Sequence, residues 1–158
     1  MINIKSVYLI ILISLISGVI GFFIHPYFVK LSVLEMKDVK VVSFDIAASF
    51  NLKILMGIIF TFIPLFLFSV LKVLNLDGQK DKVFILLSIL ISGIVFWQFK
   101  LYSIQERLKE LQAQTAGNDV NYVFSQEDLN LELYLFIGFF VGAMISGIAL
   151  HQFRKKKL

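Results

Sequence analysis

Residues suited to acid–base or metal chemistry are few in this chain. Histidine occurs twice, at His25 and His151, and cysteine does not occur. Without cysteine there are no disulfides, no thiolate metal sites and no quinone-linked disulfide exchange. The histidines lie towards opposite ends of long apolar stretches, too far apart to share a metal. His25, beside Pro26 and Tyr27, reads as a polar residue at the edge of an apolar run; a proton-sensitive switch is the sharper alternative. Asp45 and Asp119 could be imagined as a catalytic carboxylate pair in the loops, but neither sits in a matching motif. A helix cap and a turn residue account for them better. No Gly-rich phosphate loop, no Gly-x-Ser-x-Gly and no His-Glu-x-x-His appears. These residues assign no catalytic, cofactor-binding or metal-binding role, and an enzyme is not expected.

The elements that would have to position any chemistry are apolar runs. Of 158 residues, 58% are hydrophobic, 17 are Phe and only 16% are charged, and the mean hydropathy is +0.86. Long apolar runs with few charges are the mark of membrane helices. The expected fold is an all-α membrane protein, a four-transmembrane-helix bundle forming one membrane domain over residues 1–158. Its spans fall at about 6–29, 49–74, 82–101 and 131–153, with outer loops at about 30–48 and 102–130. The first run, Val7–Ile24, is longer than a signal-peptide core and is followed by no Ala-x-Ala site, so it reads as a retained span.

Local signals refine these bounds. His25-Pro26 is expected to end or kink the first helix. Pro64 is expected to kink the second. Asp77-Gly78 marks a tight turn that makes spans two and three an antiparallel hairpin. Trp97, Phe99 and Tyr102 read as an interfacial aromatic belt. Beyond them Leu101, Ile104, Leu108 and Leu111 continue at spacings of three and four among charged residues. Helices 3 and 4 are therefore expected to extend beyond the membrane on the outer side. The stripe needs a cover, which is either the chain itself, a second copy or another protein. Ala116–Asp119 ends the third helix, and Ser125-Gln126-Glu127-Asp128 opens the fourth near Gln126 as a capping box. The β-branched and aromatic runs Val39–Phe44 and Val120–Phe124 could be short strands that pair across the loops.

Small residues fall at helical spacing in two spans. Ser14, Gly18 and Gly21, with Ser17, mark the first; Gly138, Gly142 and Ser146 mark the fourth. Such stripes let helix backbones approach closely where lipid removes the hydrophobic drive. Because span two shows almost none, spans one and four are expected to be the closest pair. The surface left for a partner is then Leu101, Ile104, Leu108 and Leu111, with Phe44 from the first loop.

Charge sets the orientation. Lys5, Lys72, Lys80, Lys82, Arg154, Lys155, Lys156 and Lys157 crowd the short segments on one side. Seven bases on the other side are diluted over long loops with nine acids. Short basic segments stay in the cytoplasm, so both termini are placed there, in a bacterial inner membrane. The net charge of +4 fits such an edge and implies no nucleic acid. The expected partners are membrane lipid and a protein, with a homo-oligomer as a further possibility.

In architecture and composition across the whole chain, the sequence resembles a class of small inner-membrane proteins encoded by phages and plasmids. These act in superinfection exclusion, conjugal entry exclusion and immunity to pore-forming bacteriocins. The resemblance implies a function by contact: the protein meets an incoming phage, plasmid or toxin component and blocks its insertion, opening or use. It carries over no residue roles. An accessory subunit of a larger membrane or secretion assembly is the alternative, and a pore or lysis protein the third.

Overall fold

The fold is given by a computed structural model, which describes residues 4–35, 39–42, 46–76, 78–114, 122–125 and 129–155. Four long helices and two short strands are described, each strand lying between the two helices of a pair. They are α1 (Ile4–Glu35), β1 (Val39–Val42), α2 (Ile46–Val73), α3 (Gln79–Gln114), β2 (Tyr122–Ser125) and α4 (Leu131–Lys155). By length and composition all four helices are long and apolar enough to cross a membrane. Large apolar side chains such as Leu12, Ile16, Phe23, Ile91 and Ile145 stand exposed on the helix surfaces, whereas Ser14, His25, Ser32, Glu132 and Ser146 are buried. A water-soluble bundle has the reverse pattern, so this exterior calls for an apolar solvent.

The chain forms two helix–strand–helix hairpins. In the first, α1 packs on α2; in the second, α3 packs on α4; and α2 closes the gap to α4 and α3. At one end, the strand end, β1 and β2 pair in parallel with Val39 opposite Tyr122 and Val42 opposite Ser125. This is the pairing expected across the loops. It is parallel because each strand follows a helix running in the same direction. At the other end, the turn end, α2 stops at Asn75, whose φ is 49°. The Leu76 amide donates to the Leu71 carbonyl at 2.9 Å and the Asn75 amide to Lys72 at 3.3 Å. This is a left-handed helix stop with buried Leu76 as its apolar anchor. The connection thus begins at this stop, and the Gly78 carbonyl accepts from the Lys82 amide at 3.2 Å to open α3.

Several expectations are corrected. α1 does not end at His25-Pro26 but runs through Pro26 to Glu35. The proline removes one amide donor, and the flanking turns carry the helix past it. The α4 helix spans Leu131–Lys155 after Asn130 with φ 50°, and the helix start expected near Gln126 falls outside the described residues. Residues Gln126–Asp128 of the supposed capping box lie outside the described residues, as do Phe44, Asp45, Ala116–Asp119 and Asp77. Spans one and four are not the closest pair. A Cβ on Gly18 would stand 3.2 Å from the Gly57 carbonyl oxygen, and one on Gly21 2.8 Å from that of Met56. A Cβ on Gly138 would stand 2.7 Å from the Gly93 Cα, and one on Gly142 2.8 Å from the Ile89 Cα. Each stripe thus faces its own hairpin partner, α2 or α3. A single glycine, Gly57, provides the approach on α2 that a stripe was expected to need.

Candidate functional site

Near the strand end, a polar cluster is buried where the two hairpins meet. Its centre is His25 of α1, whose Nε2 lies 3.0 Å from Oε1 of Glu132 on α4, both side chains 2% exposed. Two turns further along α1, Ser32 accepts a hydrogen bond from Trp97 Nε1 of α3 at 2.9 Å and donates to the Phe28 carbonyl at 2.9 Å. The Phe28 and Trp97 rings meet at 5.5 Å, tilted at 42°. Trp97 is therefore turned towards the interior, which removes it from the expected aromatic belt. Phe99 and Tyr102 remain on the surface. Beside the cluster the Lys100 ammonium lies 4.7 Å from the centroid of the Tyr134 ring, a cation–π contact between α3 and α4.

The geometry follows from the helix repeat. On α1 the buried positions are Ser14, Gly18, Gly21, His25, Phe28 and Ser32, spaced four and three in alternation. On α4 they include Glu132, Leu135, Phe139, Gly142 and Ser146, spaced three and four. A residue on either stripe must enter the interface, whatever its polarity. A buried polar group needs a partner, and here the two stripes deliver His25 and Glu132 to each other across 107 residues of sequence. The pair is joined by one close contact between imidazole and carboxylate. Its charge arrangement is satisfied only while both members are present. Glu132 lies in the first turn of α4, where the positive end of the helix dipole favours a carboxylate.

The expected site residues fall as follows. Gly18 and Gly21 face α2. Gly138 and Gly142 face α3. Ser146 is buried and donates to the Ala143 carbonyl at 2.8 Å. Ser14 is buried with no hydrogen-bond partner for its hydroxyl, while Ser17 donates to the Phe60 carbonyl at 2.8 Å and so ties α1 to α2. The proposed partner surface is largely covered by the chain itself. Leu101, Ile104 and Leu108 are buried in one core with Leu129, Leu131 and Leu135, and Leu111 alone of the four stays exposed, at 42%. The amphipathic continuation of α3 is thus an internal seam, the plainest of its three possible covers.

From sequence His25 reads as a boundary residue and Glu132 as one of nine acids on the outer side; the sequence assigns neither to a site. The signal that finds them is the stripe spacing, carried past the small residues. Stepping from Gly18 and Gly21 by four and three reaches His25, Phe28 and Ser32; stepping back from Gly142 reaches Glu132. Among the described residues no group of three or more His, Asp or Glu side chains could hold a metal ion, and His25 and Glu132 supply two ligands at most. No family model matches the chain, and no curated protein or solved structure matches it either.

Proposed function

We propose that this chain is a multi-pass protein of a bacterial inner membrane, with both termini cytoplasmic, that acts by protein–protein contact at its strand end. In this reading α3 and α4 project beyond the lipid on the outer side. The surface built there meets an incoming phage, plasmid or pore-forming toxin component and blocks its insertion, opening or use. The observation that carries the reading is the tie between the two loops. Strands from separate hairpins pair in register, above a buried cluster that joins α1, α3 and α4. Two loops held as one unit present a defined shape, which recognition of a partner requires and a pair of loose connections would not supply. The basic residues at the turn end support the orientation.

The test is expression of the chain alone in a sensitive host, challenged with a panel of phages, conjugative plasmids and pore-forming bacteriocins. Protection against one challenger by the chain expressed alone is the expected result. No protection against any challenger, with a host membrane protein co-purifying in fixed ratio, would assign the chain to a larger assembly instead. Reporter fusions at each terminus check the orientation.

A further inference from the structure

At the turn end, α2 and α4 separate and leave an apolar groove of about 330 Å³. Phe66, Val70 and Leu74 form one wall, and Phe140, Met144 and Ile148 the other. The hydroxyl of Ser69 on the same wall is turned back to the Leu65 carbonyl at 2.8 Å, so the groove offers carbon to its occupant. Gly147 lines it, and this glycine differs from the others on its helix. A Cβ added to Gly138 or Gly142 would strike the backbone of α3, whereas one added to Gly147 would meet only Val70 Cγ1 at 3.8 Å. Helix packing does not need Gly147 to be small; the groove does.

The groove also has a charged end. Arg154 lies seven residues beyond Gly147, two turns along the same face of α4 and about 10 Å further down the axis. Its Nη1 donates to the Leu74 carbonyl at 2.9 Å, which holds the guanidinium beside a residue of the groove wall. Lys155 follows, and Lys72 sits exposed in the last turn of α2. An apolar slot that ends in fixed positive charge matches an acyl chain joined to a phosphate.

We propose that this groove binds an anionic phospholipid, with one acyl chain along Gly147 between α2 and α4 and the phosphate on Arg154 and Lys155. The inference rests on the membrane part of the reading above and is independent of exclusion or immunity. Bases at a membrane face attract anionic lipid broadly; the groove converts that attraction into a site by seating the chain as well.

The experiment is native mass spectrometry of the full chain in neutral detergent, with dioleoyl phosphatidylglycerol and dioleoyl phosphatidylcholine at equal concentration. The expected result is a first lipid adduct favouring phosphatidylglycerol by roughly tenfold or more, the preference two nearby bases would give. Arg154→Gln with Lys155→Gln should bring the ratio close to one. Gly147→Phe should remove the first adduct of either lipid while leaving the helical circular dichroism intact. Equal retention of the two lipids by the wild-type chain, or an unchanged ratio in the charge variant, overturns the proposal. So does a protein dimer that Gly147→Phe dissolves, since the groove would then seat a second copy. If Gly147→Phe fails to fold, the charge variant decides alone. A chain that reconstitutes stably into bilayers yet shows no lipid preference fails this inference and leaves the membrane reading standing.

Discussion

His25 and Glu132 meet at 3.0 Å across the junction of the two hairpins, and each is the other's means of being buried. Removing one member leaves a polar group stranded in an apolar interface, which costs about 3–5 kcal/mol for a buried ion pair. His25→Leu and Glu132→Leu are each expected to destabilise the fold on that scale. The double variant should be closer to wild type than either single one, because apolar pairs often replace buried ion pairs without loss. Denaturant titration of the four proteins in detergent measures the coupling; additive single effects would show that the contact does not form.

Trp97 is the only tryptophan in the sequence, and it reports on the same cluster. Its emission is expected to be that of a shielded indole and to shift to longer wavelength in Glu132→Ala, as the junction opens. Trp97→Phe keeps an aromatic ring, smaller than the indole, and loses the hydrogen bond to Ser32. It should cost about 1 kcal/mol, well below either change at the pair. A larger loss than that of Glu132→Leu would move the centre of the junction from the pair to the indole.

The two glycines Gly142 and Gly147 separate packing from open space on one helix. Gly142→Leu forces bulk into the α3 backbone and should lower the yield of folded protein and its melting temperature in detergent. Gly147→Leu meets an open groove and should leave the melting temperature within about 2–4 °C of wild type, the shift that corresponds to roughly 1 kcal/mol or less. Equal damage from both would contradict the placement of the groove.

The absence of cysteine makes the strand register directly testable. Paired Cα positions in a sheet fall in the range a disulfide spans. Val41→Cys with Phe124→Cys, opposite each other in the register, should cross-link under mild oxidation. Val39→Cys with Phe124→Cys, two residues out of register, should cross-link far less. The reverse order of yields would require a shifted pairing.

Much of the helical plan was legible because its signals are local. Apolar runs, small residues at spacings of four, and the β-branched stretch at Val39 each speak for themselves within a few residues. What the sequence concealed was pairing. Ser14, Gly18 and Gly21 announce that something comes close, but the stripe reads the same whether α2 or α4 is the neighbour, and one glycine at Gly57 decides it. His25 was hidden by Pro26, whose local preference for ending a helix suggested a boundary; the helix continues because its buried stripe extends to Phe28 and Ser32. Glu132 was hidden by its charge, which places a residue in water by default until its partner is known. The cover over Leu101, Ile104 and Leu108 was equally unreadable, since a stripe states that it is buried and not by what.

The parallel pairing of β1 with β2 also imposes an order in time. Val39 and Tyr122 are 83 residues apart in the chain, the difference between their paired positions. As the chain is synthesised, β1 is made while its only described partner is still unwritten. The first hairpin can pack through Gly18 and Gly57 at once, but its strand must wait, edge open, until the third and fourth helices are in place. Closure of the ladder is then a late step of biogenesis and a record that it succeeded. A chain stalled at three helices, or with its second hairpin inverted, would carry a bare strand edge that quality-control proteases can read.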